Sequence, residues 1–363
     1  MGTVDAAKTA PKQASDSDAV RTAALVITVV MSITALKLGR PVVLPVVIAI
    51  LLSLLLSTPV RWMRHKRIPE RFGAAIVVFG ALGIAGSAAA LLVSPAVEWI
   101  SSAPATFAKV ETKIRLLAKP IAALQQSADR MATVTAPAPP SGKPPAQVQL
   151  TTPGLFERVS MDTLTAVPAA LSVVFLTYFL LASGPLFRRK IAQILPGRRD
   201  VVHLETILSE IEIVTSKFLA TATMINTGVG VATALALWAV GVPNAILWGG
   251  VAAVLNFVPY LGPITTTFVV TFAAFASFDE PARALIAPAC FVVIHLSENN
   301  LITPLLLGRR LPVNTVSIFL GLLFFGWIWG IPGAVLAVPL TTVVKVACDH
   351  IPALKHFGEA LGN

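Results

Sequence analysis

The chain is 363 residues long, 55% hydrophobic and 13% charged, with a mean hydropathy of +0.79, whereas an average globular domain carries about 25% charged residues. That balance excludes an ordinary soluble domain and identifies a polytopic membrane protein with the lipid bilayer as its first partner. The formal charge of +10 does not point to nucleic acid, because the Lys and Arg residues sit in short clusters beside hydrophobic runs, the arrangement that sets membrane topology.

In chain order, residues 1–21 form a polar tail. The first apolar run, Thr22–Leu36, ends without a small-residue cleavage site and is expected to stay in the membrane. Pro41–Val60 is the second run, and the short Lys37–Arg40 link makes the two read as a helical hairpin. Arg61, Arg64, Lys66, Arg67 and Arg71 follow against the single acid Glu70, which assigns this loop and the N-terminal tail to the cytoplasm. Gly73–Val93 completes three crossings over residues 22–93, and Gly80, Gly83 and Gly86 predict close packing against another helix. Residues 94–162 are the one long polar excursion and fall outside the cytoplasm by parity. Within them Phe107, Val110, Ile114, Leu117, Ile121 and Leu124 recur at three and four, the mark of an amphipathic helix. Ala136–Pro153, rich in Pro, Ala, Ser and Gln, reads as disordered. A fourth crossing covers 163–187, and 188–217 returns to the cytoplasm with an amphipathic helix that carries Leu204, Ile207, Leu208, Ile211 and Val214 on one stripe.

Residues 218–347 form the expected transport core, followed by a cytoplasmic tail over 348–363. From Phe218 to Phe278 there are 61 consecutive uncharged residues, which as one helix would extend about 90 Å against a bilayer core of about 30 Å. The run must fold back within lipid, and it divides into Leu219–Val240, a short Ala245–Phe257 and Ile264–Phe278. Near its middle, Asn256-Phe257-Val258-Pro259-Tyr260-Leu261-Gly262-Pro263 breaks the helix without any charge to mark an exit into water. Irregular backbone is tolerated at that depth only where protein or a wet cavity receives its polar groups. Ala284–Gly308 then contains one acid, Glu298, with His295, Asn299, Asn300 and Thr303 close by and Pro304 kinking the helix behind them. An acid inside a crossing costs about 2.5–3.5 kcal/mol on insertion scales and is by default a functional-site hypothesis. Burial disfavours the charged form of a carboxylate, so Glu298 and the adjacent His295 are the candidate proton-coupling pair. Against this stands a plain structural role near the cytoplasmic interface, with Glu298 paired to Arg309 or Arg310. Leu311 to Val344 is again uncharged and slightly short for two crossings, with a turn at Gly326–Gly333. Two short, Gly/Pro-interrupted hairpins are the pattern of discontinuous helices that build a transport site.

The remaining polar positions have milder readings. Asn226, with Thr221, Thr223 and Thr227, is read as an interhelical hydrogen-bonding stripe, Trp327 and Trp329 as interfacial anchors, and Pro339 as a kink. Cys290 and Cys348 match no zinc spacing. No Walker lysine loop, His-Glu-x-x-His, Gly-x-Ser-x-Gly elbow or dinucleotide fingerprint occurs, so ATP drive, hydrolytic chemistry, cofactors and metals have no support in the sequence.

Three strings resemble the autoinducer-2 exporter family of bacterial membrane proteins. They are Asn256–Ile264, Glu298–Pro304 with Leu307-Gly308-Arg309-Arg310, and Gly326-Trp327-Ile328-Trp329-Gly330 leading to Leu336–Leu340. The order of segments agrees as well, including the external excursion after the third helix. The resemblance implies a multi-pass inner-membrane permease, homo-oligomeric in some members, that exports a small polar solute of the autoinducer-2 type or exchanges sodium or lithium for protons. Two positions depart from the pattern: Asn299 stands where the family tends to have Gln, and Asn314-Thr315 where it tends to have Asn-Pro, which removes a helix-starting proline.

The expected fold is thus an all-α transmembrane bundle of about seven to eight full crossings plus short or re-entrant hairpins. The expected pathway comprises Asn256, Pro259, Tyr260, Gly262, Pro263, Glu298, Asn300 and Pro304, with proton coupling at Glu298 and His295. A non-transporting membrane scaffold that docks partners on its amphipathic helices is the rival of another class.

Overall fold

The computed structural model describes residues 12–132, 167–183, 198–307 and 313–362. Its elements are α1 (Lys12–Leu38), α2 (Arg40–His65), α3 (Glu70–Ala132), α4 (Val167–Ser183), α5 (Arg198–Val240), α6 (Ala245–Leu255), α7 (Leu261–Ser277), α8 (Pro281–Ser297), a π-helical turn (Glu298–Ile302), α9 (Thr303–Leu307), α10 (Thr315–Trp329), α11 (Ile331–His350) and α12 (Lys355–Leu361). The all-α expectation holds. Among the described residues, five helical segments are long and apolar enough to cross a bilayer, and five shorter apolar helices accompany them. Large exposed apolar side chains such as Phe79, Ile84, Trp238 and Phe268 cover the outside, as a lipid solvent permits.

The first helices differ from the expectation. Gly39 is the single residue between α1 and α2, and its φ of −75° and ψ of 3° are close to helical. One such residue cannot reverse the chain, so the joint is a bend where Pro41 withholds a hydrogen-bond donor. The hairpin predicted at Lys37–Arg40 is absent. No helix end marks the predicted boundary at Ser94, because α3 continues from the crossing into the amphipathic stretch as one helix of 63 residues. Trp99 and Phe107 of this extension pack edge-on and tilted against Trp248 and Phe272. Gly80, Gly83 and Gly86 meet nothing within 4 Å of where a Cβ would stand, so the close packing they predicted is not made among the described residues of this chain. The proline-rich stretch, and residues 184–197 after the fourth crossing, lie outside the described residues.

The middle of the bundle fixes the topology of the uncharged run. Arg283, at the start of α8, donates to the Val240 carbonyl at the end of α5. Leu237, Val242, Phe278 and Ala284 share one buried cluster. The end of α5 and the start of α8 are therefore at the same face of the bundle, and α6 and α7 together form a re-entrant hairpin between them. The separate crossing expected for Ile264–Phe278 is the returning arm of that hairpin. Its first arm, α6, has 11 residues, about 17 Å, which stops well short of a bilayer core.

α6 lies close on α5 because two glycines meet there. A Cβ on Gly249 would stand 2.5 Å from the Gly230 carbonyl oxygen and 2.6 Å from the Ala234 Cβ. At the opposite face, α10 and α11 make a second hairpin. Asn314 caps α10 by accepting from the Ser317 amide at 2.7 Å, and its Nδ2 donates to the Ala360 and Gly362 carbonyls. The helix start thus survives without the proline that the family pattern would supply. The same face carries His350 of α11 paired with Glu210 at 3.0 Å and Arg61 of α2 paired with Glu212 at 3.1 Å. Trp329 is buried and donates from Nε1 to the Leu36 carbonyl, and Lys37 sits over the Trp327 ring, so the two tryptophans tie α10 to α1.

The α5–α6 contact gives a test. Gly249→Ala is expected to lower unfolding stability by about 1–3 kcal/mol, the usual cost of overpacking, whereas Gly83→Ala, with open space at its Cβ within the chain, should not lower the stability of the protomer. Thermal melts of the purified variants in one detergent compare them directly.

Candidate functional site

The re-entrant hairpin turns at residues 256–260. Asn256 ends α6, and its Nδ2 donates to Asn226 Oδ1 of α5 at 2.9 Å, so the interhelical role read for Asn226 is realised at the tip. Asn226 lies 14 residues before Val240, about 21 Å along α5 from the end that meets α8, which sets the tip deep inside the bundle. Tyr260 has φ +62° and ψ −51°, and the Leu261 amide donates to the Pro259 carbonyl at 2.7 Å. This is a tight three-residue turn of the rare, strained hand, costing of the order of 1–3 kcal/mol. Gly262 permits it, since any Cβ there would collide with the Leu255 carbonyl.

Facing the tip, the end of α8 widens into the π turn. The Thr303 amide reaches back five residues to the Glu298 carbonyl. Pro304 accounts for the change of pitch, because its ring displaces the carbonyl four residues earlier and it has no N–H to donate. The kink predicted from Pro304 therefore appears as a wider turn ahead of it. Glu298 is 6% exposed and is the one buried charged residue among the described residues. Its Oε1 accepts from Thr303 Oγ1 at 2.8 Å, a bond that the extra π-turn residue brings within reach. Its Oε2 lies 3.1 Å from His295 Nδ1. The approach is too oblique for a hydrogen bond, and both atoms are buried without a hydrogen-bond partner. His295 Nε2 is engaged by Asn299 Nδ2 at 2.9 Å, and its ring is stacked parallel to Phe291. Arg309 and Arg310, the alternative partners for Glu298, lie outside the described residues.

Tip and π turn open onto one cavity of about 860 Å³. Of the predicted pathway, Asn256, Pro259, Tyr260, Pro263 and Glu298 line it, together with His295. Asn300 does not: its Nδ2 turns back to the Leu296 carbonyl at 2.8 Å and it is exposed on the other side of the helix. Asn299, one residue earlier and about 100° around the helix, takes the cavity-facing place. Gly262 and Pro304 are also not among the lining residues, and each acts through backbone geometry. The reading from the sequence missed the contribution of α2, whose Leu51, Leu52 and Leu55 form a cavity wall. Nothing in their composition separates them from lipid-facing leucines. Pro339 also lines the cavity, beside Val335, whose carbonyl it deprives of the usual helical donor.

Comparison with known proteins places this geometry in a family. A family model described as AI-2E family transporter matches residues 25–353. The AI-2 transport protein TqsA of Escherichia coli (strain K12) is 32% identical over 197 residues, 53% of this chain and 57% of that protein. YhhT of the same organism, which bears a provisional transport-protein name, is 34% identical over 131 residues, 36% of this chain and 37% of that one. A Mycobacterium tuberculosis relative with a similarly provisional name, MT0215, is 24% identical over 287 residues, 77% and 75% of the two chains. The matches to TqsA and YhhT thus cover between about a third and three-fifths of those proteins' lengths.

The Asn226–Asn256 bond has a measurable weight. A double-mutant cycle with Asn226→Ala and Asn256→Ala should return a coupling of about 0.5–1.5 kcal/mol, the net value of one hydrogen bond, in unfolding stability of the purified protein. Additive losses would mean that the tip is held by something else.

Proposed function

The chain belongs to the AI-2E family of transporters, and from that membership and the surroundings of Glu298 we propose a secondary transporter that moves a small organic solute through this cavity, coupled to a proton on the His295–Glu298 dyad. That the chain is a multi-pass membrane protein follows from its spanning helices and its family. The observation that carries the coupling is the buried Oε2 facing His295 Nδ1 across 3.1 Å. An ionised carboxylate away from water costs several kcal/mol unless it is paired. One proton on the dyad makes it electrically neutral whether it rests on the carboxyl group or the imidazole. Without that proton the cavity wall carries a net negative charge, which a solute or a returning proton relieves. Asn256 and Tyr260 at the tip, and Asn299 beside the dyad, are the polar contacts offered to the solute.

The name of the TqsA relative favours a small polar solute of the autoinducer-2 type. Sodium or lithium exchange is the second reading of the coupling, but a cavity of about 860 Å³ is far larger than a monovalent cation requires. The face bearing Arg61, Arg64, Lys66, Arg67 and Arg71 is assigned to the cytoplasm by the positive-inside rule, with the C-terminal tail on that side and the bilayer taken as the inner membrane; the same side expected for the N-terminal tail rests on a hairpin that the bend at Gly39 replaces. The exposed stripe of Gly80, Gly83 and Gly86, flanked by Phe79 and Ile84, fits contact with a second copy in a homo-oligomer.

Glu298→Gln is expected to abolish the pH dependence of solute flux in proteoliposomes while leaving assembly intact by size exclusion. Flux that still follows the pH gradient in this variant would assign the coupling elsewhere.

A further inference from the structure

The cavity has two unlike halves. Its polar side chains come chiefly from α5, the tip and the π turn, with the buried Glu298 among them. The walls supplied by α2 and α11 are entirely apolar, with Ile48, Leu52 and Leu55 on one and Leu336 and Val338 on the other. Tyr260 and Ile264 line the cavity and yet remain 47% and 54% exposed, so the space is open along α7. That helix presents Leu261 and Phe268 to the apolar exterior, beside the exposed Thr265.

A small polyol would be served by the polar half of this space and would leave the aliphatic walls unused. A monovalent cation would leave most of the space unfilled. The volume of about 860 Å³ falls within the roughly 300–1,000 Å³ of drug-sized ligand sites, which are mostly apolar with a few placed polar groups. Charge completes the description. Glu298 Oε2 is buried and lacks a hydrogen-bond partner, and among the described residues no Lys or Arg lines the cavity, so a cationic donor brought by the ligand would neutralise it.

We infer that the cavity accepts lipophilic amines: an aliphatic or aromatic body against the α2 and α11 walls, with a protonated amine at Glu298. This inference rests on the transport reading for the role of the cavity, and it widens the solute class beyond small polar molecules. Binding on this account depends on both ends of the ligand. The amine replaces the dyad's proton as the partner of the carboxylate, and the chain fills space that water or lipid would otherwise occupy.

The test uses the purified full chain in lipid nanodiscs, with empty nanodiscs to subtract partitioning. Dodecylammonium, dodecanol and methylammonium are titrated while thermal unfolding is followed. Saturable stabilisation by dodecylammonium is expected, with dodecanol and methylammonium each at least about 30-fold weaker, the scale of losing one partner of a buried charge. Glu298→Gln should lower dodecylammonium affinity by a similar factor, and Leu52→Trp, which fills the apolar wall, should lower it while the charge remains. Equal affinity for amine and alcohol, or no saturable binding to the wild-type chain, overturns the inference without any need for a folded variant. Solute flux with wild-type pH dependence but no amine binding removes this inference alone. Amine binding without flux of any solute removes the transport reading and keeps the site.

Discussion

A lipid bilayer offers no hydrogen bonds, and the fold is organised around meeting that constraint where its helices break. At residues 256–260 the backbone leaves helical geometry deep inside the bundle. The break persists because the Asn256 amide is received by Asn226, the Leu261 amide by the Pro259 carbonyl, and Gly262 lets the chain close on Leu255. Everything near the cavity follows from holding that tip in place. Close α5–α6 packing at Gly230 and Gly249 sets its depth, and the cluster around Leu237, Val270 and Ala287 clamps the arms.

The same constraint explains why an acid is tolerated opposite the tip. Glu298 stands on a turn widened ahead of Pro304, and that widening brings Thr303 within hydrogen-bonding distance of one carboxylate oxygen while His295 stands beside the other. A regular α-helix would present a different side chain at that height. The proline is therefore a pitch-setting residue, and it governs the partners of a side chain six positions before it.

Much of this arrangement is legible in the amino-acid sequence because its strongest signals are local and costly. An uncharged run of 61 residues, two prolines with a glycine at its centre and one acid in a later apolar segment each leave few structural choices. What the sequence conceals is whatever depends on rotation and reversal. Asn299 and Asn300 differ by one step around a helix, and only the packed structure shows that Asn299 faces the cavity while Asn300 folds onto Leu296. The re-entrant course of α6 and α7 is likewise invisible in composition, because an arm that returns to its own face is as apolar as one that crosses. The link at Gly39 misleads for a related reason: two cations and a proline mark an interface equally well whether the helix turns there or bends.

The hairpin formed by α6 and α7 is tethered through its loops to one face only, while α10 and α11 are tethered to the other. Neither tether threads through the opposing half of the bundle. Each hairpin therefore reaches the cavity from its own side, with its loop residues left at that face. One chamber is thereby walled by two hairpins anchored at opposite faces, the one bearing Asp279 and the one bearing Arg61, and the acid lines it.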